Sequence, residues 1–456
     1  KTTNILHRYY SLYVTGSYVY DNRYSVSASY RVDKTDLFGA DPEFRGRPLW
    51  SVGGSWNAHN ETFLRDYNWL NALKLRASYG LTGNIDPNST SYLTATISTN
   101  SITGGKQGNL QTPPNDQLRW EKTATWNAGI DFAFLGYRLN GSLDYYHKSG
   151  SDLLTITDLD RTTGWSSLTI NSGNMINRGV ELQLDGVILP SHGRRSLGIR
   201  LGFNFAYNHN EVTSVSHHVN SGVEYLSSAL LHEGYPINSL FSFDYTGLKE
   251  VDGLWYMGWR DHNGEEHTTS ISNSEFTIDD VIYSGPATPK FTGAITPTIT
   301  WNGFSLSAMF NYYGGHYMRV GNDEWSESAG GGYGYGNTFG NGAVSSSALR
   351  YWHGDTSYPA NGYFQKDYKY LNYASYRNTN VVHADYLKFR NVMLSYNFDP
   401  KLCRKIGLND IRLRFQVNNL GTWARNSRNI DPEAISGGRH IDKVPRSYTF
   451  SLFFNL

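Results

Sequence analysis

Two sets of residues in this chain have types suited to chemistry. Arg31, Lys74, Arg76, Arg200, Arg412 and Arg414, with Glu181 in the run Arg178-Gly-Val-Glu181, all lie on stretches where polar and apolar residues alternate. Cations in such rows can clasp carboxylates, either of a substrate or of another part of the same protein. Trp255, Trp259, Arg260, Trp325, Tyr333, Tyr335 and Trp352 lie between such stretches. Their rings could stack on the apolar faces of sugars or on peptide side chains, and could equally pack loop against loop.

Catalytic signatures are missing. The chain has no Gly-x-Ser-x-Gly elbow, no His-Glu-x-x-His pair and no Gly-x-x-x-x-Gly-Lys loop. Gly332-Tyr-Gly334-Tyr-Gly336 looks superficially nucleotide-like but has no strand before it and no helix after it, so it reads as a flexible loop. Adjacent His217 and His218 point apart on an extended chain, which makes them poor joint ligands. Asp261 to Glu266 resembles part of a calcium loop, but Asn263-Gly264 is better explained as a two-residue hairpin turn. Asp279-Asp280 has no partner that the sequence can place. No enzyme, cofactor or metal site is expected.

The elements that position the cations are strands. The chain ends in Tyr448, Phe450, Leu452, Phe454 and Leu456 alternating with Ser447, Thr449, Ser451 and Asn455, and only Phe453 breaks the pattern. Side chains along a strand alternate between faces, so this segment has one apolar and one polar side. The same pattern recurs at Tyr24 to Asp33, Leu73 to Thr82, Arg138 to Tyr145, Leu197 to Asn208, Phe304 to Tyr312 and Ile411 to Asn418. Soluble sandwiches also alternate, but strands of about ten or more residues suit a tilted crossing of a bilayer. The alternation puts Phe203, Phe205, Phe310, Phe450 and Phe454 toward lipid, with Arg200, Asn204 and Asn311 toward the lumen.

Composition agrees with this. Hydrophobic residues make up 39%, and no run of about eighteen apolar residues exists for a membrane helix. A barrel needs none, because only alternate residues meet lipid. The 34 Tyr, 12 Trp and 21 Phe suit aromatic girdles at two interfaces. The 40 basic and 40 acidic residues cancel, which argues against a nucleic-acid partner. Cys403, the 1 cysteine, cannot form an intramolecular disulfide.

Short and long connections alternate, as in an outer-membrane barrel. Short turns are expected at Asp21-Asn22, Gly136, 190 to 195, Asn302-Gly303 and 400 to 409, with a longer one at 59 to 69. Long loops fall at 34 to 47, 83 to 117, 149 to 174, 211 to 286, 319 to 381 and 422 to 445. About thirteen strands result, all within one domain, the C-terminal portion of a barrel of about 22 strands. Parity requires an odd number of strands upstream, and Lys1 is not an initiator Met, so the chain is expected to begin inside a longer polypeptide. The apolar set changes phase after Phe389, to Val392, Leu394 and Tyr396, which predicts a β-bulge near Arg390 and Asn391.

Several stretches together resemble the SusC/RagA family of TonB-dependent outer-membrane transporters. These are Arg31 to Gly39 (RVDKTDLFG), Pro48 to Ser55 with Glu61-Thr-Phe63, Leu73 to Asn84 (LKLRASYGLTGN), Leu118 to Thr123 with Asn127 to Phe132, and Asn174 to Leu182. Gly285 to Gly293, Gly303 to Tyr312, Tyr386 to Tyr396 and Asp431-Pro-Glu433 continue the series in the same order.

The resemblance implies an outer-membrane protein of a Gram-negative, Bacteroidota-like bacterium that imports a glycan or peptide oligomer with a SusD-like lipoprotein. It also implies a plug and N-terminal barrel part, absent here, through which the TonB complex acts. Arg76, Glu181, Arg200, Arg412 and Arg414 would then contact the plug, and the loop aromatics and Arg260 would touch ligand or lid. A passive porin and, further off, a barrel enzyme remain the alternatives.

Overall fold

The computed structural model describes residues 8–36, 46–87, 89–216, 219, 221–227, 231–252, 254–271, 275–320, 373–426, 430–436, 439–440 and 443–455. Thirteen strands form one antiparallel sheet in sequence order, each hydrogen-bonded to its predecessor. They are β1 (Tyr9–Tyr20), β2 (Tyr24–Thr35), β3 (Gly46–Asn57), β4 (Leu70–Asn84), β5 (Glu121–Phe134), β6 (Leu139–Asp158) and β7 (Ser167–Leu189). The remainder are β8 (Gly198–Ser214), β9 (Phe291–Trp301), β10 (Phe304–Gly314), β11 (Tyr386–Asn397), β12 (Asp410–Ala424) and β13 (Ser447–Asn455). The sheet does not close on itself, since β1 pairs only with β2 and β13 only with β12. Every residue of β1 is exposed.

The sequence dictates the turns. Asp21 and Asn22 both take positive φ (50° each), and Asn302-Gly303 does the same at 48° and 87°, as tight hairpins between right-twisted strands require. The turn after β11 is a six-residue helix, Pro400–Lys405, capped by Asp399, which accepts from Lys401 N; Cys403 is buried in it. Arg194, from the turn after β7, donates to Asn397 O at 2.6 Å and Phe398 O at 3.2 Å, tying two short turns together.

Residues directly opposite each other in a ladder share a face, so the register fixes both sides of the sheet. Phe205 lies opposite Leu182, Phe203 opposite Ile295, Phe310 opposite Phe389, Phe450 opposite Phe415 and Phe454 opposite Ile411. On the other face Asn204 meets Gln183, Asn311 meets Lys388, and Arg200 bonds Asp185. Aromatic rings cluster on the apolar face near both ends of the strands. Trp50–Tyr79 and Trp126–Tyr145 lie toward the long loops, and Trp69–Phe134 and Phe304–Tyr396 toward the short turns.

The bulge lies where the phase change predicts it. Against β10 the pairing passes from Phe310–Phe389 to Met309–Asn391 and leaves Arg390 extra, whereas against β12 it passes from Phe389–Gly421 to Asn391–Asn418, where Asn419 and Leu420 face Arg390. Phe453 also finds its reason. Its ring is on the polar face, opposite Arg412, and the Arg414 guanidinium lies 4.9 Å from its centroid.

Candidate functional site

The polar face of the sheet carries its own ion pairs. Arg76 forks onto Asp131 at 2.7 and 2.8 Å and reaches Asp144 at 3.1 Å, joining β4, β5 and β6. Gly129 makes room for this fork, because a Cβ there would lie 2.3 Å from Asp144 Oδ1 and 2.9 Å from Arg76 Nη2. Arg200 pairs with Asp185 at 2.7 Å, Arg412 donates to Asn397 Oδ1 at 2.6 Å, and Arg31 pairs with Asp33 at 2.6 Å. Each of these cations thus has a partner within the wall. Glu181, opposite Asp144 and Ala206, is exposed and has no hydrogen bond or ion pair to described residues.

A denser cluster hangs on the bulge. Tyr386, Lys388 and Arg390 point from β11 to one carboxylate, Glu433, in the 3-10 turn Pro432–Ala434 of the loop between β12 and β13. Arg390 donates at 2.7 and 3.2 Å, Tyr386 at 3.1 Å, and Lys388 bonds the same carboxylate. Asp431 caps the turn by accepting from Glu433 N and also accepts from Thr422, so the segment is strapped to the polar face. Burial pushes Glu433 up, but the bonds and charges of Arg390 and Lys388 outweigh it and hold the carboxyl at about 2. The sequence contained both halves, the phase change at Arg390 and Asp431-Pro-Glu433, but nothing in it joined residues 43 positions apart.

At the other end of the strands, described parts of the long connection between β8 and β9 are folded. Residues 222 to 283 build a lobe with its own core of Leu226, Phe241, Phe243, Trp259, Ile271 and Phe276. The segment after β10 locks into it. Phe243 N donates to Tyr376 O at 3.1 Å, Asn378 N to Phe243 O at 3.0 Å, and Arg377 lies over the Tyr245 ring at 4.6 Å. Arg319 donates to Phe241 O and Ser375 O, and burial pushes its guanidinium down to about 10.

Trp259, expected at the ligand or lid surface, is corrected by this core. It is 1% exposed, its Nε1 donates to Thr269 O at 2.9 Å, and its ring packs on His267 and Phe276. Arg260 stays half-exposed beside Glu266 at 3.3 Å. The Trp255 side chain, together with Trp325, Tyr333, Tyr335, Trp352, His217 and His218, falls outside the described residues.

Asp261 closes the Asn263-Gly264 hairpin, as the turn reading expects. Its Oδ1 accepts from Asn263 N and Glu265 N, and its Oδ2 lies 3.2 Å from His267 Nε2. The grouping of Asp261, Glu265 and His267 is therefore that of an Asx turn. Between the lobe and the outer ends of β7 and β8 lies a cleft of ≈ 420 Å³.

Residues 2–420 match the family model described as TonB dependent receptor-like, beta-barrel. The chain belongs to the TonB-dependent receptor β-barrel family. TonB-dependent receptor P39 of Formosa agariphila is 27% identical over 485 residues, covering 96% of this chain and 44% of the relative. TonB-dependent receptor SusC of Bacteroides thetaiotaomicron is 29% identical over 309 residues, 64% of this chain and 30% of SusC. Among solved structures, the RagAB peptide importer in its closed-closed state superposes with a TM-score of 0.74 at 25% identity, over 98% of this chain and 47% of that one. The chain thus spans under half the length of these relatives. Within the family it is of the SusC/RagA type, an outer-membrane β-barrel protein, and its thirteen-stranded sheet is a partial barrel.

Proposed function

We propose that the complete protein imports an oligomeric nutrient, glycan or peptide, across the outer membrane. It receives the nutrient from a SusD-like surface lipoprotein and draws energy from the TonB complex through a plug domain outside residues 1–456. Residues 1–456 supply part of the wall and the lid-docking loops. The two unpaired edges, β1 and β13, support pairing with further strands, an odd number by the parity of the turns. Glu181, with spare hydrogen-bonding capacity on the lumen face, is then the plug contact of first choice. Arg76, Arg200, Arg412 and Arg414 line the same face and meet the plug through surfaces their wall partners leave open.

The observation that carries this reading is the lobe. The lobe, to which residues 373–380 are tied through Phe243 and Tyr376, forms a preorganised platform at the long-loop end of a family barrel. Loops of this length in compact proteins are functional or disordered, and this one has a core. The test is Phe243→Asp in the full-length transporter. Buried charge should collapse the lobe while β8, β9 and the rest of the wall stay folded. The barrel should keep its heat-resistant migration, but lipoprotein co-purification and growth on the cognate oligomer should fall. Normal growth with undiminished co-purification would sink the assignment. Uptake that survives collapse of the proton-motive force would favour a passive pore instead.

A further inference from the structure

On the lipid face the register lays β6, β7 and β8 out in rows, with one residue from each strand in a row. Leu143, Leu182 and Phe205 form one row, and Tyr145, Val180 and Tyr207 the next toward the long loops. Beyond them comes His147, Arg178 and His209, so all three strands turn polar at the same level. Trp126 of β5 stands opposite His147, stacks on it at 6.0 Å between centroids and packs on Tyr145 at 4.9 Å. This is the aromatic girdle at the long-loop end, where hydrocarbon gives way to headgroups, and long loops mark the outer side of such a barrel. The polar row therefore meets the outer leaflet.

Its charge is not balanced by the wall. Arg76 and Arg200, on the lumen face, pair with wall carboxylates, whereas Arg178 is exposed and forms no hydrogen bond or ion pair with any described residue. Glu211, one row further out on β8, engages His209 Nε2 at 3.3 Å and forms no ion pair with Arg178. On the β6 side Arg178 has His147 directly opposite and the exposed Ser149 diagonal to it. Opposed side chains have Cβ atoms about 4.5–5.5 Å apart, so guanidinium, imidazole and hydroxyl can reach one tetrahedral anion. A cation at the edge of hydrocarbon is favoured where an anionic headgroup answers it.

We infer that Arg178, His147 and Ser149 form a headgroup site for a phosphate-bearing lipid of the outer leaflet. The guanidinium fork donates to two phosphate oxygens, a geometry that suits Arg better than Lys. His147 donates from a ring that Trp126 holds in place, and the acyl chains lie along Tyr145, Val180 and Leu182. A zwitterionic lipid fits less well, because its own ammonium already balances its phosphate. The inference rests on the placement of the wall in the outer membrane and not on what the protein imports.

The test uses the full-length transporter in detergent micelles, with bound lipid measured by native mass spectrometry and each variant checked for heat-resistant migration. Probes are phosphatidic acid, phosphatidylcholine with the same acyl chains, and glycerol 3-phosphate, a phosphate headgroup without chains. The parent should prefer phosphatidic acid to phosphatidylcholine, and Arg178→Gln should weaken its binding about tenfold. Arg178→Lys, which keeps the charge and loses the fork, should fall between the two. Lys148→Gln removes the neighbouring cation, which sits over the Tyr146 ring on the lumen face, and should change nothing. If Arg178→Gln binds phosphatidic acid as the parent does, or Lys148→Gln weakens it equally, the site is overturned. Should Arg178→Gln fail to fold, parental affinity in both Arg178→Lys and His147→Gln overturns it instead. Competition by glycerol 3-phosphate at equal concentration would assign the row to a soluble phosphate and sink the lipid. A parent that excludes phosphatidic acid and dimerises through Arg178 would assign the row to a second copy of the chain.

Discussion

Arg390, which the bulge in β11 leaves extra against β10, donates to Glu433 Oε1 in the β12–β13 connection at 2.7 Å. Lys388 and Arg390, two residues apart on β11, share the polar face, so two cations converge on one carboxylate. Lys388 is only 4% exposed in its side chain, and without Glu433 it keeps only the more distant Asp431, at 3.7 Å, to balance a nearly buried charge.

Glu433→Gln should therefore loosen the strap and destabilise the barrel by about 1–3 kcal/mol. Limited proteolysis within 425 to 446, absent in the parent, is the readout. The pH dependence has a definite sign. Glu433 is depressed from an ordinary value of 4.5 to about 2, so its contribution is fully present above 4.5 and is lost as pH falls through about 2. Strap protection that disappears between neutral pH and 4.5 would contradict this.

Gly129 offers a second test, because the Arg76 fork occupies the space where its side chain would lie. Gly129→Ala should push Asp144 or Arg76 aside and cost about 1–3 kcal/mol, against the usual gain from replacing a strand glycine. Denaturant unfolding of the full-length protein checks it. A stabilised variant would show that the fork moves freely.

The lobe has its own titrating pair. His262 Nδ1 lies 2.7 Å from Asp280 Oδ1, while Asp280 Oδ2 accepts from Thr277 N and Oγ1. The bond to Asp280, opposed by burial and aided by nearby carboxylates, raises the His262 pKa above 6.5. A raised histidine contributes stability below 6.5 that is lost as pH rises through its folded value. Protease resistance of 254 to 283 should fall on that rise, and Asp280→Asn should remove the dependence.

Much of the wall was legible because lipid on one side and water on the other impose a strict two-residue period. That period marked β2, β4, β6, β8, β10, β12 and β13, the turns and loops between them set the remaining strands, and the period also exposed the bulge in β11, since a single extra residue reverses every later side chain. The lobe was not legible. Its strands, such as Ser239–Ser242 and Asp244–Val251, are short and pair inside an aqueous loop, so no such period marks them. Trp259 was misplaced for that reason: an aromatic in a loop looks exposed until the segments that cover it, here Ile271 and Phe276, are known. Arg76 was readable as facing the lumen, but its bond to Asp131 across 55 positions became visible only once the register was set.

The register makes the sharpest prediction, at adjacent positions of β8. Phe205 lies opposite Leu182 on one side and Gly293 on the other, with Phe291 stacked nearby at 6.2 Å between centroids, all on the lipid face. Asn204 is one residue earlier, opposite Gln183 and exposed on the lumen face. Phe205→Arg puts a charge against hydrocarbon and should cost about 2–4 kcal/mol near the midplane, enough to suppress assembly. Asn204→Arg puts the same side chain into water and should assemble normally. Comparing the heat-resistant fraction in outer membranes cancels any general effect of arginine. Equal assembly of both, or failure of Asn204→Arg alone, would mean that the two faces are exchanged.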